Sequence, residues 1–204
     1  MADWTWRCDE VASLVADRAD LEVLRAELPD WRRRAYDAVV ADSSRRRSIA
    51  AWLNLERLLA SRGVEAGGLT VRSGAFGKPA FDPSVGIDFN LSHSDGRVLA
   101  VVADSPVGCD IERIAPVRPG VPELCLTDAE RAHLGSFRSG PVRDREFCRL
   151  WVRKESFVKA LGRGMDRDLR SFEVLEDSVE SVWRLHEVPC GDGYLGCVCV
   201  HAGQ

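Results

Sequence analysis

The chain has 204 residues, 45% of them hydrophobic, which suits one domain or two small ones with a real core. A formal net charge of −4, from 28 Lys plus Arg against 32 Asp plus Glu, excludes general affinity for nucleic acid or an anionic membrane surface. Any basic site must therefore be local. No stretch approaches the ~18 consecutive apolar residues of a membrane span. The opening "MADWTWRCDEV" has no apolar signal region. These features predict a soluble, cytoplasmic protein with no membrane or nucleic-acid partner. Seven cysteines, without a C-x-x-C pair, point to buried thiols in a reducing compartment rather than to a disulfide framework or a zinc site.

The first 60 residues read mainly as helix. In "DSSRRRSIAAWLNLERLLASRG", Asp42, Ser43 and Ser44 are N-cap candidates, Ile49, Trp52, Leu53 and Leu59 form an apolar stripe, and Gly63 is a C-cap candidate. The period then changes to that of strands. "LTVRS" is a short strand candidate. "GIDFNLS" alternates Ile87, Phe89 and Leu91 with Asp88, Asn90 and Ser92. Asp95-Gly96 is a tight-turn signal before "RVLAVVA", and "VGCDIERI" follows as a further strand.

The Pro/Gly-rich "APVRPGVPE" opens a second part, in which Thr127 and Glu130 stand in capping-box register. A long helix is predicted from about Pro141 to Leu161, stopping near Gly162 and Gly164. Three strand candidates finish the chain: "SFEVLE", "ESVWRLHEV" and "YLGCVCV". In the last of these Cys197 and Cys199 share one face. Each part pairs helices with antiparallel strands, an α+β pattern, with a division near residue 104 into halves 1–104 and 105–204.

Four stretches carry chemistry-bearing residues. In "VGCDIERI", strand alternation sends Asp110 and Glu112 to the face opposite Val107, Cys109 and Ile111. Paired carboxylates can offer oxygen to a hard cation, although an exposed strand face would show the same triplet. In "FCRLWVRKESFVKAL", Glu155 and Lys159 are one turn apart and share a face with Trp151. That spacing also describes an ordinary surface ion pair. Only three of the basic residues are lysines, Lys78, Lys154 and Lys159, and two of them bracket Glu155. An ammonium is a compact charge and proton donor in a way that guanidinium is not, so their retention hints at chemistry. Lys78 lies in "FGKPAF", a turn that could aim a cation at phosphate. Ser92 and His93 lie in "NLSHSDG", and either could meet an anion or simply occupy a turn. Of the arginines 32–34 and 45–47, most read as solvated surface and one or two as anion contacts.

Taken in order, G-K-P, F-N-x-S-H-S, G-x-D-I-E and W-x-x-K-E-S-F-x-K-A-x-G-x-G resemble the 4′-phosphopantetheinyl transferase superfamily, specifically its Sfp-type enzymes. The resemblance runs from about Arg47 to the last strand. It implies a pseudo-dimer of two similar α+β halves with an active-site cleft between them. It also implies transfer of the phosphopantetheine arm of coenzyme A to a serine of an apo acyl or peptidyl carrier protein, releasing adenosine 3′,5′-bisphosphate. By motif, Asp110, Glu112 and Glu155 would be ligands of Mg²⁺, with Mn²⁺ as a substitute. Lys78, Pro79, Ser92, His93 and Lys159 would be coenzyme A contacts, together with Arg47 and, more loosely, Arg34. Glu155 would act as base and Lys159 as leaving-group acid. The coenzyme A side would be the first half, and the metal and carrier side the second, within a monomer. Arginines 163, 167 and 170 would face the acidic carrier. Secondary metabolism, of the polyketide or nonribosomal-peptide kind, is the expected setting. Two alternatives are a metal-dependent hydrolase of nucleotide pyrophosphates using the same acids, and a non-catalytic module that binds coenzyme A or its carrier.

Overall fold

The computed structural model describes residues 2–74, 76–163 and 167–203. Its α+β character agrees with the sequence pattern, but the chain opens on a strand. Trp4, Trp6 and Cys8 alternate with Thr5, Arg7 and Asp9, and the segment forms β1 (Trp4–Glu10). β1 pairs antiparallel with β5 (Arg97–Ala103), and β5 pairs with β4 (Asp88–Ser94), giving the order β1-β5-β4. Asp95, at φ 45°, makes the tight turn between β4 and β5.

Helices α1 (Val11–Leu14), α2 (Arg18–Glu27), α3 (Asp30–Asp37) and α4 (Asp42–Ser61) follow β1. Asp42 opens α4 rather than capping it: Ala41 is the cap, and the Asp42 carboxylate complements the positive end of the helix. Ile49, Trp52, Leu55 and Leu59 are buried against Phe89, Val98, Ala100 and Val102. Full burial of such side chains is worth roughly 1.5–3 kcal/mol each, so packing on the sheet holds this helix far more than its caps do. β2 (Val71–Ser73) and β3 (Pro79–Phe81) form a small hairpin that carries the G-K-P turn.

β5 is apolar from Val98 to Ala103 because both of its faces are covered. Val98, Ala100 and Val102 face α4, whereas Leu99, Val101 and Ala103 pack with Val107, Cys109, Ile111, Val198 and Val200. The latter residues belong to a second sheet, β6 (Val107–Arg113), β9 (Tyr194–His201), β8 (Trp183–Val188) and β7 (Ser178–Val179), in the order β6-β9-β8-β7. Cys197 and Cys199 share the face buried against α7 (Pro141–Leu161). Between β6 and α7 lie α5 (Val121–Cys125) and α6 (Asp128–Gly135), the latter with the full Thr127–Glu130 capping box. α7 ends at Gly162, whose φ of 63° is the left-handed stop that glycine allows.

One departure has a clear cause. "SFEVLE" is not a strand: the backbone carbonyls of Phe172, Val174 and Glu176 accept hydrogen bonds from Lys154 and Arg153 of α7 instead of joining a sheet. Gly108 fixes how close α7 comes to β6. A Cβ there would lie 2.2 Å from the Ala160 nitrogen and the Ser156 carbonyl oxygen, so only glycine admits the helix at this distance. That approach brings Glu155 and Lys159 to the side of Asp110. No helix among the described residues is long and apolar enough to cross a membrane.

Candidate active site

β4 and β6 run in the same direction, bridged by side chains rather than by a backbone ladder. At a constant offset of 19 residues, Asp88, Asn90, Ser92 and Ser94 accept hydrogen bonds from the backbone N–H groups of Val107, Cys109, Ile111 and Arg113. The polar face of β4 therefore satisfies donors on the edge of β6 that have no strand partner. The same seam presents Asp110 and Glu112 to α7.

One cavity of about 300 Å³ is lined by Leu91, Ser92 and His93 of β4, Asp110 and Glu112 of β6, and Trp151, Glu155 and Lys159 of α7. Six of the ten predicted site residues are thus brought together: Ser92, His93, Asp110, Glu112, Glu155 and Lys159. Lys159 Nζ donates to Asp110 Oδ1 at 2.6 Å and to Ser92 Oγ at 3.2 Å. Ser92 Oγ donates in turn to Asp110 Oδ1 at 2.8 Å. Burial pushes the Asp110 carboxyl above the usual range, against the pull of Lys159. Burial also raises Glu112 and Glu155; the neighbouring charge of Asp110 adds to both, while Ser94 opposes it at Glu112 and Lys159 at Glu155. Burial works against the Lys159 ammonium, but Asp110 outweighs it and the Lys159 pKa is raised.

His93 stands exposed at the rim. Partial desolvation, then the cations Arg47, Lys159 and Arg32, hold its pKa below the ordinary value; for an exposed ring the three cations are the firmer cause. Arg32 is itself pushed down to about 10 by burial, and its guanidinium is held by Ser48 Oγ and carbonyl oxygen. Sequence reasoning chose Arg34 from this cluster, yet Arg34 is exposed and lines a different cavity with Trp31 and Leu69. The signal that separates them is helical phase: on α3 only Arg32 of the two turns toward α4. Arg47 lines a larger cavity of about 610 Å³ with Arg46, Arg97 and Tyr194, and donates to Ser44 Oγ.

Lys78 and Pro79 are not among the cavity's lining residues. Lys78 Nζ donates to Asp88 Oδ2 at 2.6 Å and to the Val107 carbonyl at 2.8 Å, and its stem lies against Gly162. Pro79 starts β3. Of the arginines expected to meet a carrier, Arg167 pairs with Glu180 over the rings of Phe157 and Phe172, Arg170 pairs with Asp168, and Arg163 is exposed. Gly164, in the same stretch, lies outside the described residues.

Among the described residues no three His, Cys, Asp or Glu side chains form a ready-made metal centre. The donor chemistry nevertheless fits a hard dication. Asp110 Oδ2 is buried without a hydrogen-bond partner; Asp110 raises the pKa of Glu112 and Glu155, Glu112 adds to the rise at Glu155, and a shared cation would relieve that repulsion. Mg²⁺ needs only a few protein oxygens, since it retains water in the rest of its shell.

The family model of the 4′-phosphopantetheinyl transferase superfamily matches residues 106–199, the segment that supplies Asp110, Glu112, Glu155 and Lys159. The chain is 38% identical over 119 residues to 4′-phosphopantetheinyl transferase psf-1 of Bacillus pumilus, covering 56% of this chain and 50% of that protein. It is 35% identical over 111 residues to the enzyme gsp of Aneurinibacillus migulanus, covering 54% and 46%. It is 34% identical over 134 residues to ffp of Bacillus subtilis, covering 61% and 59%. The chain thus spans about half the length of the curated relatives it matches. With Sfp of Bacillus subtilis also matched at 32% identity, the chain belongs to the 4′-phosphopantetheinyl transferase superfamily and is of the Sfp type.

Proposed function

We propose that this protein transfers 4′-phosphopantetheine from coenzyme A to a serine of an apo carrier protein. The observation that carries the reading is the convergence of Asp110, Glu112, Glu155, Lys159 and His93 on one cavity between β4, β6 and α7. In this reading β4 and its hairpin partner belong to a first half, residues 1–104, β6 and α7 belong to a second, 105–204, and the cavity is the cleft between them.

Asp110, Glu112 and Glu155 would hold Mg²⁺, with Asp110 offering Oδ2, the oxygen that Ser92 and Lys159 leave free. The ion would supply charge neutralisation at the pyrophosphate. Glu155 takes the proton from the incoming serine hydroxyl as its oxygen bonds to the phosphorus of the pantetheine arm. The bond from that phosphorus to the bridging oxygen breaks, and Lys159 stabilises or protonates the departing phosphate of adenosine 3′,5′-bisphosphate. Arg47 and Arg32 give the rim the positive charge that a nucleotide phosphate needs, and the His93 ring, kept neutral by them, offers a hydrogen bond there. Glu112 and Trp151 also line an adjoining groove of about 450 Å³ with Arg113, Val117, Arg118 and Phe147, whose mixed basic and apolar character suits an acidic, amphipathic carrier helix. No covalent enzyme intermediate is needed, so most of the rate comes from positioning and electrostatics.

The test is intact-protein mass spectrometry of apo acyl and peptidyl carriers incubated with the protein, coenzyme A and Mg²⁺, with and without EDTA. The expected result is one phosphopantetheine per carrier, abolished by EDTA and reduced about a hundred-fold or more in Glu155→Gln, the scale of a lost general base. Release of adenosine 3′,5′-bisphosphate without a carrier would favour the hydrolase instead. Coenzyme A surviving untouched with every carrier class would leave only the binding module.

A further inference from the structure

We propose that Ser94 is a positioning residue for Glu112, holding one carboxylate oxygen on β4 so that the other faces the acidic cavity. The assignment rests on the reading of that cavity as a metal-dependent active site. Ser94 Oγ accepts from the Arg113 backbone N–H at 3.1 Å and donates to Glu112 Oε2 at 2.7 Å. Two residues earlier the same device recurs: Ser92 Oγ accepts from Ile111 N–H at 3.4 Å and donates to Asp110 Oδ1 at 2.8 Å. A serine hydroxyl has a single proton. Because the β6 backbone donor already points at the oxygen, that proton is directed to the carboxylate. Each serine of the S-H-S triplet thus grips one acid of the D-I-E triplet, at an offset of 18 residues.

Glu112 needs this more than Asp110 does. Asp110 is short, buried and also held by Lys159. Glu112 has a longer, half-buried side chain that lines not only the acidic cavity but also the groove beside Val117 and Phe147 and a third hollow beside Asp95 and Pro116. Without Ser94 only the Trp151 side chain is left to hold its carboxylate by a hydrogen bond, and its time in the cavity falls.

The experiment measures Mn²⁺ binding by electron paramagnetic resonance, which reads free Mn²⁺ directly and needs no turnover. In Ser94→Ala the dissociation constant should rise about ten-fold, the scale of one lost hydrogen bond to a charged acceptor, while Ser94→Thr, which keeps the hydroxyl, should stay near wild type. In the transfer assay the Mg²⁺ half-saturation should rise in parallel, and kcat at saturating metal should change little. If Ser94→Ala does not fold, Ser94→Cys, with a weak donor of similar shape, replaces it. Equal Mn²⁺ affinity in wild type and the folded Ala or Cys variant overturns the proposal, and so does a wild-type protein that binds no Mn²⁺. Ser94-dependent Mn²⁺ binding without transfer to any carrier would uphold the assignment while sinking the transferase reading.

Discussion

α7 carries two lysine–carboxylate pairs of nearly equal length and opposite character. Lys154 Nζ meets Glu130 Oε2 at 2.8 Å with both side chains 0% exposed. Its other protons go to the carbonyls of Leu169 and Phe172. Glu130 in turn accepts from the backbone N–H groups of Thr127 and Val174. Every donor and acceptor of that pair is used. Lys159 meets Asp110 at 2.6 Å, but its side chain is 30% exposed along the cavity wall, and Asp110 Oδ2 has no partner. A sealed, saturated pair can only hold structure together. An open, unsaturated one can exchange partners when an anion or a cation arrives. The spacing between the two lysines turns them to opposite sides of the helix, so one anchors the segment around 169–174 while the other faces the cavity.

The sharpest way to break this contrast is Lys154→Ala. Removing one member of a buried pair strands the other charge and costs about 3–5 kcal/mol. For a chain of this size that is a drop in melting temperature of roughly 10 °C or more. A fall of less than about 3 °C in a scanning calorimeter, well below what stranding a buried charge predicts, would mean that the pair is not the anchor described here.

Lys159→Arg sharpens the other side. Charge is retained, but a planar fork replaces a compact ammonium between Asp110 and Ser92. Transfer to a carrier should fall about a hundred-fold, the low end of what a positioned proton donor contributes. The melting temperature should move far less than in Lys154→Ala. Wild-type rates in Lys159→Arg would show that positive charge alone suffices and would remove the proton-donor role.

The two lysines also show where sequence was legible. Retention of lysine among arginines pointed to chemistry at both α7 positions, yet only Lys159 reaches the cavity. Lys154 is kept because burial beside Glu130 suits a slim ammonium with three donors. The phase of α7, its Gly162 stop, the Thr127 capping box and the alternation of Asp110 with Ile111 could all be read because each is a local, periodic signal. β1 was not, since its alternation becomes a strand only by pairing with β5, far away in the chain. Lys78 escaped for a similar reason. Its tie to Asp88 and the Val107 carbonyl depends on how β4 meets β6, which no local pattern encodes. Ser94 was in view inside S-H-S, but its role appears only when the hydroxyl is seen between Arg113 N–H and Glu112.

The smallest expected effect tests whether the open side of α7 is strained without metal. Burial first raises the carboxyls of Asp110, Glu112 and Glu155, so the folded protein binds protons there more tightly than the unfolded chain does. The associated stability is fully present below the ordinary carboxylate range, near about pH 4, and is lost as pH rises through the raised folded values. Lys159 is raised as well, but its contribution is lost only above the ordinary lysine range, about pH 10. In EDTA the melting temperature should therefore carry a downward component as pH rises above the ordinary carboxylate range, about pH 4, and Glu155→Gln, which removes one of the three titrations, should flatten it. Mg²⁺ should flatten it too, by favouring the ionised acids most where they repel one another most. Parallel curves for wild type and Glu155→Gln above that range would mean that Glu155 titrates alike in the folded and unfolded chains. The distinction between a sealed pair and an open, charge-strained site would then have to rest on Lys159 and Asp110 alone.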